Sequence, residues 1–204
     1  MDREIRAFDF EVRAEETERG KTLTGQPIVY DERTDLGWYD EIIDNGALTD
    51  TDLRDVRFLV NHNTDMIPLA RSRNNNANST MQMQVVENSG MTIRVNLDTE
   101  NNAEAKSLYS AVERGDITGM SFMFRVDSDS WEDLESEHPT RHIRAISKVF
   151  EVSAVTFPAY EATSIQARGL SDALESAKTS LESAKAEADA IERRKHKIKL
   201  LTEV

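Results

Sequence analysis

Apolar and polar positions alternate with a period of two through much of residues 3–98, and this pattern predicts a β-rich region. Residues 5–13 give the longest alternating run, and shorter strands are predicted at residues 28–30 and 56–60. Residues 80–86 and 91–97 flank Glu87-Asn88-Ser89-Gly90, so they predict a hairpin with a glycine-containing loop.

The pattern changes after residue 98. Apolar positions at helical spacing predict a helix over residues 99–113, with Gly115 as a stop signal. Strand character returns over residues 117–126, and a polar, acidic loop is predicted at 127–140. Two further strands are expected at residues 141–147 and 149–156.

Residues 170–204 differ from the rest in composition, so we divide the chain into a domain of residues 1–169 and a helical tail of 170–204. The apolar positions of the tail alternate in steps of four and three, which is a heptad pattern. These positions are Leu170, Leu174, Ala177, Leu181, Ala184, Ala188, Ile191 and Ile198. The seam is rich in alanine and breaks at Lys195, so any coiled coil would be weak. One interpretation is a long helix outside the domain, and the other is a partly disordered tail that is helical only with a partner.

Composition narrows the function classes. The 204 residues suffice for one domain with an appendage, and the absence of cysteine excludes disulfides, thiolate metal sites and cysteine nucleophiles. A net charge of −13 disfavours nucleic acid and anionic membranes as partners. The chain has no run of eighteen apolar residues and no hydrophobic signal region at its N-terminus, so we expect it to stay in the cytoplasm of the producing cell.

The chain has four histidines, and one of them stands out by position. His62 directly follows an apolar strand and lies between two asparagines, where a side chain can be held rigidly and still face a cleft. His138 lies in the acidic loop, His142 on a strand, and His196 in a basic stretch of the tail. Taken alone, His62 is also compatible with an ordinary turn residue.

Ser121 lies among large apolar residues, two positions after Gly119, which leaves space on that face of the predicted strand. It can be a nucleophile or an ordinary strand residue. A hydroxyl needs an adjacent base, for which histidine is suited, and a third group usually orients the imidazole. Glu151 and His142 are candidates for that third group. Glu151 is alternatively an outward-facing strand residue or a partner of an arginine such as Arg144.

Several segments, taken in order, resemble the prohead proteases of tailed bacteriophages, which are similar to the herpesvirus capsid-maturation protease in fold and role. The resemblance covers about residues 5–168, and the Gly-Met-Ser-Phe and Glu-Val-Ser to Pro-Ala-Tyr segments are its most specific parts. The matching segments are Gly25-Gln26-Pro27-Ile28-Val29-Tyr30, Asp40-Glu41-Ile42-Ile43, Gly46-Ala47-Leu48, Asn61-His62-Asn63, Pro68-Leu69-Ala70-Arg71, 114–122 and 151–160.

This resemblance implies that His62 is the general base and Ser121 the nucleophile. It favours Glu151 narrowly over His142 as the third member, although the herpesvirus enzymes use a second histidine there. The sequence departs from the family pattern at Asn63, where Asp is usual, and at Met123, where Gly is usual. Neither change removes a catalytic group, but Met123 would narrow the space beside the nucleophile.

The implied fold is α+β, a mostly antiparallel β-barrel with flanking helices, as in herpesvirus proteases. The implied function is a serine endopeptidase that cleaves capsid and scaffold precursors, and itself, inside the assembling procapsid in the host cytoplasm. No cofactor, metal, nucleic acid or membrane is expected. The oxyanion groups are not identified, and Arg168 is a contributor by position only.

The tail is expected to act as a scaffold-like segment, to be removed by self-cleavage, or to mediate self-association through its helix. Two other functions remain open from the sequence. One is a non-enzymatic capsid assembly or scaffolding protein, and the other is a β-barrel binding domain in which His62 and Ser121 are incidental.

Overall fold

The computed structural model describes residues 3–8, 12–17, 20–156 and 167–202. Within these ranges the chain forms eleven strands and two helices. The strands are β1 Glu4–Phe8, β2 Arg13–Thr17, β3 Gly20–Val29, β4 Arg33–Asp35, β5 Asp40–Ile43, β6 Asp55–Val60, β7 Ala70–Arg73, β8 Met81–Val86, β9 Gly90–Asn96, β10 Gly119–Glu132 and β11 Thr140–Val155. The helices are α1 Ala103–Glu113 and α2 Ala167–Thr202. The predicted α+β class is confirmed.

The strands form two sheets. The larger has seven strands in the order β1-β10-β11-β5-β4, with β6 on β11 and β7 on β6, and the smaller has the order β2-β3-β9-β8. Strand β11 pairs in parallel with β5 near its start and with β6 near its end, so the larger sheet branches. Because the hydrogen-bonded strands in the described ranges do not close into a ring, the predicted barrel is not confirmed.

One hydrophobic core lies between the sheets and α1. The larger sheet contributes Phe58, Phe122 and Val152, which are register partners across three adjacent strands and point to the same face. The smaller sheet contributes Ile93, and α1 contributes Leu108. Each element buries one face against the others, as two-layer packing requires.

The local predictions hold where a turn or cap is encoded nearby. The hairpin of β8 and β9 is confirmed, and so is α1, whose first turn is capped by the Asn102 side chain accepting from the Glu104 and Ala105 backbone N–H groups. Gly115 follows the helix with a φ of +78°, a conformation suited to glycine at a helix end.

Strands β10 and β11 pair as a long hairpin, and two predictions about it were wrong. The acidic loop predicted at 127–140 is strand over half its length, because β10 continues to Glu132 and β11 begins at Thr140. The two strands predicted at 141–147 and 149–156 are the single sixteen-residue strand β11. Register shifts between Met123 and Asp129 absorb the irregular polar pattern while the strands stay paired.

The first predicted strand was also wrong in extent. Residues 5–13 do not form one element, because β1 ends at Phe8 in the larger sheet and β2 begins at Arg13 in the smaller one. Residues 9–11 lie outside the described ranges. The alternating pattern is therefore shared by two strands of different sheets.

Helix α2 begins at Ala167 and packs on the larger sheet with its first half. Ala177 is fully buried against Tyr39 and Trp131, and Leu181 and Ala184 pack at the edge of this cluster. The later heptad positions Ile191 and Ile198 are exposed, whereas the side chains of Leu170 and Leu174 lie outside the described part. Part of the predicted seam thus contacts the chain's own sheet.

The division between a domain of residues 1–169 and a tail of 170–204 stays a prediction. In the part of the chain that the structure describes, no helix is both long enough and apolar enough to cross a membrane.

Candidate active site

His62 lies in a turn directly after β6. Asn61 and His62 both have a left-handed backbone, with φ values of +50° and +57°. The turn is tied to the end of β11, because the Asn61 N–H donates to the Ala154 carbonyl at 3.0 Å and the Asn61 side chain bonds Thr156. Asparagine and histidine tolerate this conformation better than most residues, so the sequence at this point suits the turn. The turn directs the imidazole back towards β11.

Glu151 of β11 meets that imidazole. The Nδ1 atom of His62 and the Oε1 atom of Glu151 are 2.6 Å apart, and the two side chains are 10% and 3% exposed. A carboxylate can only accept, so Nδ1 carries the hydrogen and Nε2 is left as an acceptor in the neutral ring. Nε2 is buried and has no hydrogen-bond partner among the residues that the structure describes. In this pair, Nε2 of His62 can therefore accept a proton as a base.

The second carboxylate oxygen of Glu151 is also used. The Ser153 hydroxyl donates to Oε2 at 2.5 Å and accepts the backbone N–H of His62 at 3.2 Å. Glu151 is neither outward-facing nor paired with Arg144, which instead bonds Ser130 and Asp44. Both alternatives considered for Glu151 from the sequence were wrong.

Ser121 lies on β10, in register with Ser153 of β11 and Ala7 of β1. Paired residues share a face and residues two apart in a strand do so as well, so Ser121, Ser153 and Glu151 lie on one face of the sheet. Ser121 is fully buried, and its hydroxyl donates to the Arg6 carbonyl at 2.6 Å. The structure thus brings Ser121 and His62 to the same region without a hydrogen bond between them.

His142 lies elsewhere, nine residues before Glu151 on the same strand. Its Nδ1 atom is 2.8 Å from Asp44 Oδ1, and its Nε2 atom is 3.5 Å from Glu132 Oε2. At a rise of about 3.3 Å per residue, this position is far from the His62 turn. His142 therefore does not contact His62.

The remaining histidines are exposed, and one of them takes part in a cluster of potential metal ligands. Among the described residues, ligand atoms of Asp35, Asp40 and His138 lie within 4.8 Å of one another. Burial raises the pKa of Asp40, but hydrogen bonds from His138 and Arg33 outweigh it and lower that pKa. These ion pairs account for the cluster, and it is distant in the sheet from the His62 turn.

A buried ionic cluster, which the sequence analysis did not identify, fixes β1 beside Ser121. Arg6 of β1 bonds Glu41 at 2.5 Å and Glu4 at 2.6 Å, and Arg141 of β11 bonds Glu4 at 2.8 Å and Glu41 at 3.3 Å. All four side chains are almost fully buried. In the sequence around β1, this cluster is indicated by the charged residues Glu4 and Arg6 at alternate positions of the strand.

The charges of this cluster support one another. Burial lowers the pKa of Arg6, but the negative charge of Glu41 and the other partners outweighs it and raises that pKa well above its ordinary value. Tyr39 packs beside the cluster, and burial raises its pKa to about 12. Asp129 accepts from Arg141 at 2.6 Å and from the Ser180 hydroxyl of α2 at 2.8 Å. The cluster thus links β1, β5, the long hairpin and α2.

A groove of about 550 Å³ adjoins the His62 turn. Val60 and Met66 line it on the turn side, Leu108 and Ala111 line it on the α1 side, and Ile117 precedes the Ser121 strand. Its wall therefore joins the segments that carry His62 and Ser121.

Two further sequence predictions fall on parts that are not described. Pro158-Ala159-Tyr160 lies outside the described residues, and Arg168 lies in α2 but its side chain is outside the described part. The oxyanion role predicted for Arg168 by position therefore stays a prediction.

The family model described as caudovirus prohead serine protease matches residues 8–178, a range that contains His62, Ser121 and Glu151. No curated protein and no solved structure matches the chain. The family model covers most of the 204 residues, so the chain belongs to the caudovirus prohead serine proteases.

Proposed function

We propose that this serine protease cleaves capsid and scaffold precursor proteins, and itself, during procapsid maturation, with Ser121 as nucleophile, His62 as general base and Glu151 as the residue that orients the imidazole. One observation carries the proposal. His62 and Glu151 form a buried pair at 2.6 Å in which Nε2 has no hydrogen-bond partner among the described residues, and Glu151 shares a face of the sheet with Ser121. Such a pair is the base half of a serine-protease triad.

The reaction is acyl transfer. Nε2 of His62 removes the proton from the Ser121 hydroxyl as Oγ attacks the peptide carbonyl carbon, and Glu151 stabilises the imidazolium that forms. The imidazolium then donates its proton to the leaving amine, and the C–N bond breaks to give an acyl-enzyme. A water molecule, deprotonated by His62, attacks the ester and releases Ser121 with the second product.

The Ser121 hydroxyl must first change its partner. In the substrate-free protein it donates to the Arg6 carbonyl, so a rotation about χ1 is needed to direct it to Nε2. The exchange replaces one hydrogen bond by another, and a single bond contributes only about 1 kcal/mol net. Catalytic hydrogen bonds commonly form only in the substrate complex. Because Ser121 is fully buried, substrate entry also requires local opening of the segments above it.

The groove beside the His62 turn is suited to an apolar side chain of the substrate. Val60, Leu108 and Ala111 supply apolar walls, while the polar Asn61 and Asn63 lie at the turn side. Specific peptide sites generally combine an apolar pocket with a few polar groups.

Confinement together with its substrates favours cleavage by such a protease. Inside an assembling procapsid, the capsid and scaffold precursors surround the enzyme at a high effective concentration, so a weakly binding cleft suffices. We accordingly place its action in the host cytoplasm, within the procapsid, with the major capsid protein precursor and the scaffold as partners.

The test is co-expression with the major capsid protein precursor of the same virus, followed by intact-mass spectrometry of both proteins. The wild-type chain should yield a shortened capsid protein and its own cleavage products, and Ser121→Ala should yield neither. Ser72→Ala is the matched control, because Ser72 is equally buried but its hydroxyl has no hydrogen-bond partner in the described part of the chain. Intact precursor with all three chains would instead favour a non-enzymatic assembly protein.

A further inference from the structure

Ser153 makes two hydrogen bonds that the strand ladder does not require. Its hydroxyl donates to Glu151 Oε2 at 2.5 Å and accepts the His62 backbone N–H at 3.2 Å. The residue is fully buried, so no bulk water competes for either bond. One hydroxyl thereby contacts both His62 and Glu151 at the same time.

The two contacts restrain different degrees of freedom. The bond to Oε2 holds the Glu151 carboxylate in one rotation, with Oε1 directed at His62 Nδ1. The bond from the His62 N–H holds the turn, whose left-handed φ of +57° is unfavourable for a residue with a side chain. The direction of Nε2 depends on both the carboxylate and the turn.

Ser72 shows what a buried strand serine looks like without such a role. It is also fully buried, on β7, and none of the described residues forms a hydrogen bond with its hydroxyl. Burying a hydroxyl without a partner is costly, whereas the Ser153 hydroxyl uses both its donor and an acceptor site. Ser153 and Ser72 are therefore a matched pair of equal size and burial.

We propose that Ser153 is a positioning residue that holds Glu151 and the His62 turn so that Nε2 is presented to Ser121. The proposal rests on the catalytic roles proposed above. Ser153 acts through Glu151 and His62 and does not itself contact the reacting atoms. Its register with Ser121 on the neighbouring strand places it beside the proposed nucleophile on the same face of the sheet.

The test compares Ser153→Ala, Ser153→Cys and Ser72→Ala with the wild-type full chain. A fluorescent fluorophosphonate, which labels activated serines, gives the inactivation rate constant and the binding constant of the probe separately. Spectra of ¹⁵N-histidine-labelled protein report the tautomer of the His62 ring without any substrate. Ser153→Cys keeps the side-chain size and weakens the donor, so it gives the same test if the alanine variant fails to fold.

Ser153→Ala should lower the labelling rate constant by about 10- to 100-fold with an unchanged binding constant, as loss of a bond to a charged group predicts. The His62 ring signals should show a mixture of tautomers. Ser153→Cys should fall between, and Ser72→Ala should match the wild type. The positioning role would be overturned if Ser153→Ala were labelled at the wild-type rate. It would also be overturned if this variant were labelled slowly while its His62 signals stayed unchanged.

Failure of the proposed function gives a different result. If the wild type is not labelled, or if Ser121→Ala is labelled equally, the assignment of the nucleophile fails. The His62 spectra of Ser153→Ala still decide the positioning proposal in that case, because they require neither probe nor substrate.

Discussion

Replacing Arg141 by methionine removes the central cation of the buried ionic cluster. The guanidinium donates to Glu4 at 2.8 and 3.1 Å, to Glu41 at 3.3 Å and to Asp129 at 2.6 Å, and its side chain is 2% exposed. Methionine fills a similar volume without a charge. Among the described residues, the variant keeps three carboxylates around one remaining cation, Arg6, so the cluster becomes more negative by one charge.

Breaking a buried ion pair by removing one partner costs about 3–5 kcal/mol, because the other charge stays buried and uncompensated. For a chain of this length, each kcal/mol lowers the melting temperature by roughly 2–4 °C, so we expect a decrease of about 6–20 °C. Arg33→Met is the matched control. Arg33 also pairs with a carboxylate, Asp40, but its side chain is 58% exposed, and such a surface pair contributes less than about 1 kcal/mol.

The assay is urea unfolding followed by fluorescence of Trp38 and Trp131, which stack at 5.9 Å beside the cluster. An Arg141→Met protein within 1 kcal/mol of the wild type would refute the reasoning. A double variant, Glu4→Gln with Arg141→Met, should recover part of the loss because it also removes a buried negative charge. Absence of any recovery would show that Glu4 and Arg141 are not coupled.

The same pair predicts a pH dependence. Burial raises the pKa of Glu4, but the charges and hydrogen bonds of Arg6 and Arg141 outweigh it and lower that pKa below 4.5. A carboxyl with a lowered pKa in the folded state stabilises the protein above its unfolded pKa, and this stability is lost as the pH falls through the folded value. The difference between wild type and Arg141→Met should therefore narrow below pH ~4.5, and a constant difference down to pH ~2 would contradict this.

Three further predictions concern the hydrogen-bonded His62–Glu151 pair, Gly90 and helix α2. Glu151→Gln should lower the catalytic rate constant by about 10²–10⁴-fold in the capsid-cleavage assay while the fold is retained, because an amide cannot stabilise the imidazolium; a near-normal rate would exclude Glu151 as the third member. Gly90→Ala should lower the free energy of unfolding by more than about 2 kcal/mol, because the added Cβ would lie 2.0 Å from the Ile28 carbonyl oxygen and the φ of Gly90 is +124°. Gly37→Ala is the control and should cost less, because its added Cβ meets none of the described atoms within 4 Å. Ala177→Glu should release the first half of α2 and shift the tryptophan emission to longer wavelength, since Ala177 is fully buried against Trp131; unchanged emission would mean that the helix stays packed.

The elements that could be predicted from the sequence are those whose signals are local. The β8–β9 hairpin follows from alternation on both sides of Gly90, and α1 follows from apolar spacing with Gly115 after its end. The ionic cluster could not be predicted in this way, because the bonds that assemble it, from Arg6 to Glu41 and from Arg141 to Glu4, join residues 35 and 137 positions apart in the chain. Charges at alternate positions of β1 are locally typical of a solvated face, whereas in the folded chain Glu4 and Arg6 are buried and paired with Arg141 and Glu41.

The extent of the long hairpin and the barrel were wrong or unconfirmed for a related reason. Polar residues in the second half of β10 indicate a loop, but pairing with β11 over this stretch and the burial of Trp131 under α2 stabilise them as strand. Closure of a sheet depends on which strands pair at its two edges, and no local pattern contains that information. The alternation was therefore a better guide to strand content than to strand ends or topology.

The choice between Glu151 and His142 shows why the site needed the structure. Both residues follow Ser121 in the chain and both lie on β11, so their order and local pattern do not separate them. What separates them is the partner on the open edge of that strand. The first residues of β11 pair with β5, which places His142 beside Asp44, whereas residues 151–154 pair with β6. Because His62 directly follows β6, the parallel register alone brings Glu151 to its imidazole and keeps His142 away. A shift of this register by one residue would turn Glu151 to the core face and dissolve the pair, so the β6–β11 pairing is as necessary to the proposed site as the side chains themselves.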